Sequence, residues 1–381
     1  MAAVNFLIKP VSCLCNMSCQ YCFYKDVAEN REKYSFGFMK VDCLEEIIRK
    51  GLDYASDECS FTFQGGEPTL AGLDFYRQVI TFQKKYSRDG LRVVNAIQTN
   101  GYLIDEAWAA FLSENRFLVG ISLDGPAEYH NRNRKDTAGK NTWNRVMHAI
   151  NLFQKYHVSY NVLCVVTGEQ AKSTDRLYHF FRKQNIHWLQ FIPCMEPLFE
   201  ERGRQKYHLS PEQYGDFLIR IFDQWYADLQ KGLYISIRHL DNWISLLLGE
   251  CPEACNMSGK CSVQFVIEAN GNVYPCDFYV LDRWYLGNVH EETMQECISC
   301  RNAQEFVEVS MQLPQECKNC VWRGICRNGC RRDRISTNQE PNSIGRNYYC
   351  FSYRTFFEAR WKELENAAVM ILRMRKQMKH R

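Results

Sequence analysis

Cys15-Asn16-Met17-Ser18-Cys19-Gln20-Tyr21-Cys22 follows closely on the apolar run Val4-Asn5-Phe6-Leu7-Ile8. That run has the length and the β-branched and aromatic content of a short strand. The loop after it carries three thiols at CxxxCxxC spacing. Three thiolates this close suit an iron–sulfur cluster that keeps one iron without a protein ligand. An open coordination position is what lets a metal site engage a substrate or cofactor. A partial zinc site, or chance clustering in a cysteine-rich chain, is the competing reading. Cys13 breaks the spacing and is read as non-ligating.

Downstream, strand-like and helix-like patterns alternate to about residue 235. Further strands are expected at Ser60–Gln64, Val93–Gln98, Phe117–Leu123, Tyr160–Val166 and Trp188–Ile192. Helical periodicity occupies Val41–Asp53, Asp74–Tyr86, Asp105–Asn115, Thr142–Tyr156, Thr174–Gln184 and Pro211–Gln230, with Asp105 and Ser173 placed as N-caps. Six βα units in series predict a parallel sheet, either a partial or complete (β/α) barrel or a doubly wound sheet. In a barrel the chemistry sits at the C-terminal ends of the strands. The Cys15–Cys22 loop, Gly65-Gly66-Glu67-Pro68, Gln98-Thr99-Asn100-Gly101 and Asp124-Gly125-Pro126 all fall there.

Composition narrows the function classes. The 381 residues include 47 Lys+Arg against 44 Asp+Glu, too even a balance for a dedicated nucleic-acid binder. With 14% aromatics the chain has ample apolar surface to bury, which excludes disorder. No apolar run approaches the ~18 residues of a membrane span. The N-terminus has neither the basic start nor the apolar core of a secretory signal, so a reducing cytoplasm is expected. There, 19 Cys argue for metal ligation rather than disulfides, and the odd count also resists a closed set of intrachain bridges.

Eleven of those cysteines lie between Cys251 and Cys350, where Gly and short polar runs replace the βα pattern. Eight have regular spacing: Cys255, Cys261 and Cys276, then Cys317, Cys320, Cys326, Cys330 and Cys350. That is enough for two four-thiolate sites, with zinc ribbons and iron–sulfur clusters both compatible. Beside an open three-cysteine loop, iron–sulfur is the better reading. Spacing alone does not exclude Cys297-x2-Cys300 and Cys251 as ligands, and most of the scattered thiols are read as small hydrophobes. The division expected is residues 1–235 for the βα domain and 236–381 for a cysteine-rich domain closed by a helix. The basic stretch Arg373–Arg381 reads as a solvated helix end.

The motifs together carry a family resemblance. CxxxCxxC with Tyr21 before its last cysteine, followed by Gly65-Gly66-Glu67-Pro68, resembles the radical S-adenosylmethionine (SAM) superfamily. The C-terminal cysteine ladder resembles its SPASM extension. Leu7-Ile8-Lys9-Pro10, Gln98-Thr99-Asn100-Gly101 and above all Tyr274-Pro275-Cys276-Asp277-Phe278-Tyr279-Val280-Leu281-Asp282 resemble anaerobic sulfatase-maturating enzymes. The resemblance implies a partial (β/α)6 TIM-like barrel, three [4Fe-4S] clusters and SAM as cofactor. It implies oxidation of a Cys or Ser in a Cys/Ser-x-Pro/Ala-x-Arg motif of an unfolded or nascent sulfatase to Cα-formylglycine. A 5′-deoxyadenosyl radical would abstract the β-hydrogen, and Asp277 would take the side-chain proton.

By the same resemblance Cys15, Cys19 and Cys22 hold the SAM-binding cluster. Cys255, Cys261, Cys276 and Cys330 hold one auxiliary cluster, and Cys317, Cys320, Cys326 and Cys350 the other. Tyr21, Gly66, Ser122, Arg134 and Met195 hold SAM, Met195 standing where the family commonly has Leu. Gln64 and Gln98 are expected to line the cavity without a firm role. The implied partners are the sulfatase polypeptide and an electron donor such as ferredoxin or flavodoxin, for a monomer that binds neither nucleic acid nor membrane. Two rivals stand beside this reading: another SPASM-type peptide maturase, forming a thioether or a quinone cofactor, and a non-catalytic zinc protein. The first often carries an extra N-terminal peptide-binding domain, for which there is no room before Cys15. Iron with acid-labile sulfide would eliminate the second.

Overall fold

All six expected strands form, as Val4–Ile8, Glu58–Phe63, Arg92–Thr99, Leu118–Ser122, Tyr160–Val166 and Trp188–Pro193. The computed structural model describes residues 3–335 and 345–379, with side chains to residue 377, so the end of the basic run Arg373–Arg381 lies outside the described residues. The six expected helices form too, from Val41–Tyr54 to Pro211–Gln230. Val41–Tyr54 shows why: Cys43, Leu44, Ile47, Ile48 and Leu52 recur at helical spacing and are all buried. Asp105 caps its helix by accepting from the Trp108 N–H at 2.9 Å. Ser173 makes no side-chain cap bond. A short helix Gly168–Ala171 ends two residues before it, and the Ser173 N–H donates to the Gln170 carbonyl at 2.9 Å.

The chain divides into two compact units. The first comprises residues 1–123, 127–162 and 262–307; the second comprises 124–126, 163–261 and 308–381. In the first unit, Val4–Ile8, Glu58–Phe63, Arg92–Thr99 and Leu118–Ser122 pair side by side in parallel. The alternating pattern predicts such a parallel sheet, and its open, unclosed form agrees with the partial barrel that the resemblance implies. Its core is apolar and aromatic, with Phe6, Phe61, Phe63, Phe117 and Ile121 fully buried. Each such side chain contributes about 2 kcal/mol through area removed from water. Tyr76 packs edge-on against Phe63 and Trp108.

Six short strands were not read from the sequence, and one of them repositions a whole segment. Val266–Ile267, from within the cysteine-rich half, pairs in parallel with Leu7 and Ile8 on the free side of the first strand. It continues antiparallel into Asn272–Tyr274 and Gly287–Asn288. Residues 262–307 therefore belong to the first unit, although the linear reading places them beyond residue 235. This short pairing carries Asp277, which follows strand Asn272–Tyr274 across the Pro275-Cys276 step, to the end of strand Glu58–Phe63, where Gln64 meets it.

In the second unit Trp188–Pro193 pairs in parallel with Ser236–Ile237. Helix Pro211–Gln230 has a capping box on Ser210 and packs Tyr214 and Phe222 against Tyr349 and Phe356. The expected C-terminal helix runs Cys350–Lys379, with a kink at Arg360, whose guanidinium grips Asp223 at 2.6 and 2.8 Å. Among the described residues no helix is long and apolar enough to cross a membrane.

Candidate active site and thiol clusters

The Cys15–Cys22 loop is buttressed by the motifs that follow later strands. Gly66 has φ +49°, and a Cβ there would lie 2.0 Å from the Leu14 carbonyl oxygen. The neighbouring Glu67 N–H donates to that same oxygen at 2.8 Å. Gly66 thus lets the strand-end loop seat directly on the cysteine loop, a reason for glycine that is independent of any cofactor. The Glu67 carboxylate is buried and accepts from Thr69 Oγ1 at 2.6 Å, Thr99 Oγ1 at 2.7 Å and the Asn100 N–H at 2.7 Å. Burial pushes its pKa up, and these donors pull the other way. Asn100 in turn donates to Asn16 Oδ1 at 2.8 Å and faces Cys15 Sγ at 3.7 Å.

The three thiols of this loop are half-buried and sense one another. Burial pushes the Cys15 thiol up to about 12, and Glu67, Cys19 and Cys22 add to that push. Crowded thiols whose anions repel favour a metal that supplies the missing positive charge. Asn16 also keeps a buried side-chain N–H with no hydrogen-bond partner among the described residues, a donor beside Cys15 suited to a cluster sulfide. Met17–Cys19 pairs with Arg134–Asp136, which brings the Arg134 guanidinium to 4.0 Å from Cys19 Sγ and over the Tyr21 ring at 5.3 Å. Arg134 is 7% exposed, so it is not a surface cation. Ser122 ends its strand and accepts from Gln98 at 3.3 Å. Met195 is half-buried in the second unit.

Asp277 opens a one-turn helix and is 6% exposed. Its Oδ2 accepts from the Tyr24 hydroxyl at 2.6 Å and from Gln64 Nε2 at 2.7 Å. Its Oδ1 is buried and has no hydrogen-bond partner among the described residues. Burial pushes the Asp277 carboxyl up, opposed by the Lys9 charge and by the two donors. The Lys9 ammonium lies 5.0 Å from the Tyr24 ring centre and 2.9 Å from Glu268. Glu268 also pairs with Arg31 at 2.7 Å, and Arg31 reaches Ser12 Oγ at 3.1 Å. Burial alone would raise the Glu268 carboxyl, but Lys9 and Arg31 hold it down at about 2. Sequence reasoning missed Tyr24 as Asp277's partner and the Lys9–Glu268–Arg31 triad. Glu268 lies 259 residues from Lys9 with no motif of its own.

The second unit gathers thiols in two places. Cys317, Cys320, Cys326 and Cys350 line one cavity with Leu313, Trp322 and Phe357. Burial pushes Cys326 up to about 12, with Cys350, Cys317 and Cys320 adding to it, and Cys317 up to about 11. Asn328 and Asn347 brace this cavity, the Asn347 N–H donating to Asn328 Oδ1 at 2.8 Å. Cys330 is raised by burial and by Asp333, and also feels Cys255 and Cys261. Cys276, the fourth thiol expected with them, belongs to the first unit and precedes Asp277. Among the described residues no three His, Cys, Asp or Glu side chains converge on a single metal position. Cubane thiolates each grip a different iron, so they need not converge as zinc ligands do.

Comparison with known proteins places these features. The chain matches the radical SAM superfamily over residues 10–181 and the SPASM iron-sulfur cluster-binding domain over residues 255–321. It is 46% identical to a cysteine-type anaerobic sulfatase-maturating enzyme of Clostridium perfringens, covering 97% of this chain and 99% of that protein. It is 34% identical to a serine-type enzyme of Bacteroides thetaiotaomicron, covering 92% and 88%. The solved structure described as native anSMEcpe with bound AdoMet and Cp18Cys peptide matches with a TM-score of 0.92 at 46% identity, covering 97% of this chain and all of that one. Streptococcus suis SuiB shares the fold at a TM-score of 0.64 and 18% identity, covering 91% and 76%.

Proposed function

The chain belongs to the anaerobic sulfatase-maturating enzymes, and from that premise we propose that Asp277 is the base that removes the side-chain proton of a cysteine being oxidised. The enzyme is a radical SAM oxidoreductase that matures sulfatases, with SAM and iron–sulfur clusters as cofactors. The observation that carries the role of Asp277 is its asymmetric carboxylate. Oδ2 is saturated by Tyr24 and Gln64, while Oδ1 is buried and free to accept. A base must present an open lone pair to its proton within hydrogen-bond reach, and Oδ1 alone does so. Burial raises the Asp277 carboxyl, which suits a group that must take up a proton, and the Lys9 charge opposes that rise.

The residues present fit the groups the family uses. Cys15, Cys19 and Cys22 would hold the first cluster, with the Asn16 N–H as an added donor. Cys317, Cys320, Cys326 and Cys350 would hold a second, and Cys255, Cys261, Cys276 and Cys330 a third. The thiol groupings in the second unit support the first of these quartets and three members of the other. Tyr21, Gly66, Ser122, Arg134 and Met195 would hold SAM, the buried Arg134 fork being suited to its carboxylate. When bound, the first cluster and SAM supply the radical that takes a hydrogen atom from the substrate β-carbon. Residues 1–235 would serve that step and residues 236–381 the auxiliary clusters, with 262–307 folding beside the barrel.

A cysteine substrate in a Cys-x-Pro/Ala-x-Arg context is favoured over serine, because the cysteine-type relatives stand at 46% and 45% identity and the serine-type at 34% and 30%. The enzyme would act as a cytoplasmic monomer on an unfolded or nascent sulfatase, with reducing equivalents from ferredoxin or flavodoxin; the base, its donors and the first thiol loop all come from one compact unit. Mass spectrometry of Cys and Ser motif peptides after anaerobic incubation with SAM and a strong reductant tests this. An aldehyde at the Cys position, formed faster than at Ser, is the expected product. SAM cleavage with both peptides unmodified would move the target elsewhere.

A further inference from the structure

We propose that the surface over Cys317, Cys320, Cys326 and Cys350 is the docking face for an acidic one-electron carrier protein, which collects the second electron of the oxidation. The inference rests on the reading that these four thiols hold a cluster. Val321 is 87% exposed, more than any other large apolar side chain among the described residues, and it sits directly between Cys320 and Trp322. Phe351, adjacent to Cys350, is 53% exposed. Single exposed apolar groups are ordinary on a protein surface. Here two of them flank the same four thiols, and Trp322 packs at a tilt against Trp361 at 4.9 Å and Phe357 at 5.4 Å.

The charge around that apolar centre has one dominant sign. Lys318, Arg323, Arg346 and Arg354 are exposed, and Arg327 lines the same cavity as the thiols. Against these five cations stand two carboxylates, Glu316 at 3.3 Å from Arg346 and Glu358 at 3.5 Å from Arg354. Among the described residues five against two leaves +3 from side chains, and a four-thiolate [4Fe-4S] cluster beneath would bring the local sum to about +1. A second copy of the chain would meet this face with like charge. An acidic carrier would be steered to it and oriented by it, with Val321 and Phe351 seated at the centre of a small, transient interface. In the transfer the enzyme loses one electron and the oxidised carrier gains it, for instance a flavodoxin-class FMN protein passing to its semiquinone. No bond forms or breaks there, and the substrate proton departs separately on Asp277.

The test uses the anaerobic holoenzyme with SAM, the Cys peptide and oxidised flavodoxin as probe, reading affinity by calorimetry and semiquinone by absorbance. Val321→Asp and Arg346→Glu should each weaken flavodoxin binding at least about tenfold. Native binding should fall steeply with salt, and basic cytochrome c should not bind. Iron content and dithionite-driven SAM cleavage should stay at native values in both variants. Unchanged flavodoxin affinity in both variants overturns the docking face while leaving the cluster assignment standing. A raised KM for the peptide with unchanged carrier affinity gives the face to the substrate instead. A Cys326→Ala protein that retains its full iron complement overturns the cluster assignment, and the inference with it.

Discussion

The two thiol-bearing regions are supported in opposite ways. The Cys15–Cys22 loop rests on protein: Gly66 lies against Leu14, Glu67 ties three segments together, and a short strand pair fixes Cys19 beside Arg134. The region around Cys317–Cys330 has two four-residue helices, Gln315–Lys318 and Arg323–Cys326, and Ile325 is the one buried residue in either. Its thiols line an apolar cavity instead of a packed core. The difference fits the roles proposed for each. A loop that engages an exchanging cosubstrate has to keep its shape between turnovers. A relay can let its metal serve as its core, as small metal-organised modules do.

Removing the metal should therefore divide the molecule. After anaerobic chelation, amides of residues 313–330 should lose nearly all hydrogen-exchange protection. Those of Val4–Ile8, Glu58–Phe63 and Thr99–Gly101 should keep theirs, because buried side chains and the Glu67 network hold them. Equal loss in both regions would break the comparison. Single cysteine substitutions sharpen it. Cys15→Ala should abolish SAM cleavage completely while leaving exchange in the second unit at native levels. Cys326→Ala should unprotect residues 313–330. Cleavage that persists in Cys15→Ala protein would remove that thiol from the first cluster.

The same contrast explains what the sequence made legible. The alternating barrel pattern is local, each strand and helix announcing itself within about ten residues, and all twelve elements formed. The cysteine loop was legible for the same reason. What stayed hidden depends on contacts far apart in the chain. Two residues, Val266 and Ile267, are too short a run to read as a strand, yet they bring the 262–307 segment to the barrel. Glu268 carries no motif, and its pairing with Lys9 and Arg31 exists only once that strand has docked. Gly66 was assigned a cofactor contact, and the structure adds a steric reason that the sequence had no means of showing.

At the base, the prediction isolates chemistry from support. Asp277→Asn keeps the shape and a hydrogen-bonding side chain but has no carboxylate to receive a proton. Formylglycine yield should fall by roughly 10²–10⁴, the usual weight of a positioned general base. SAM cleavage and iron content should remain at native values, since the first thiol loop is braced through Glu67 and not through Asp277. Full aldehyde yield from this variant would take Asp277 out of the reaction. Loss of SAM cleavage as well would show that the two halves of the site are one mechanical unit, erasing the division drawn above.

The triad beside the site bears on stability rather than turnover, and its pH dependence identifies it. Glu268→Gln leaves Lys9 and Arg31 buried against a neutral amide, which should destabilise the first unit by about 3–5 kcal/mol at neutral pH. The native carboxyl is held at about 2, below its ordinary value of 4.5, so the folded state prefers it ionised. Its contribution is complete above the ordinary value and drains away as pH falls from there through about 2. The glutamine variant lacks that contribution at every pH. The gap between native and variant urea midpoints should therefore be widest from pH 5 upward and narrow steadily as the solution is acidified below about 4.5. Acid effects common to both proteins cancel in the difference, including any loss of metal from the second unit. A gap that holds constant down to the lowest pH measured would mean that shape rather than charge makes Glu268 necessary. In that case the protein-built region would owe its rigidity to packing alone.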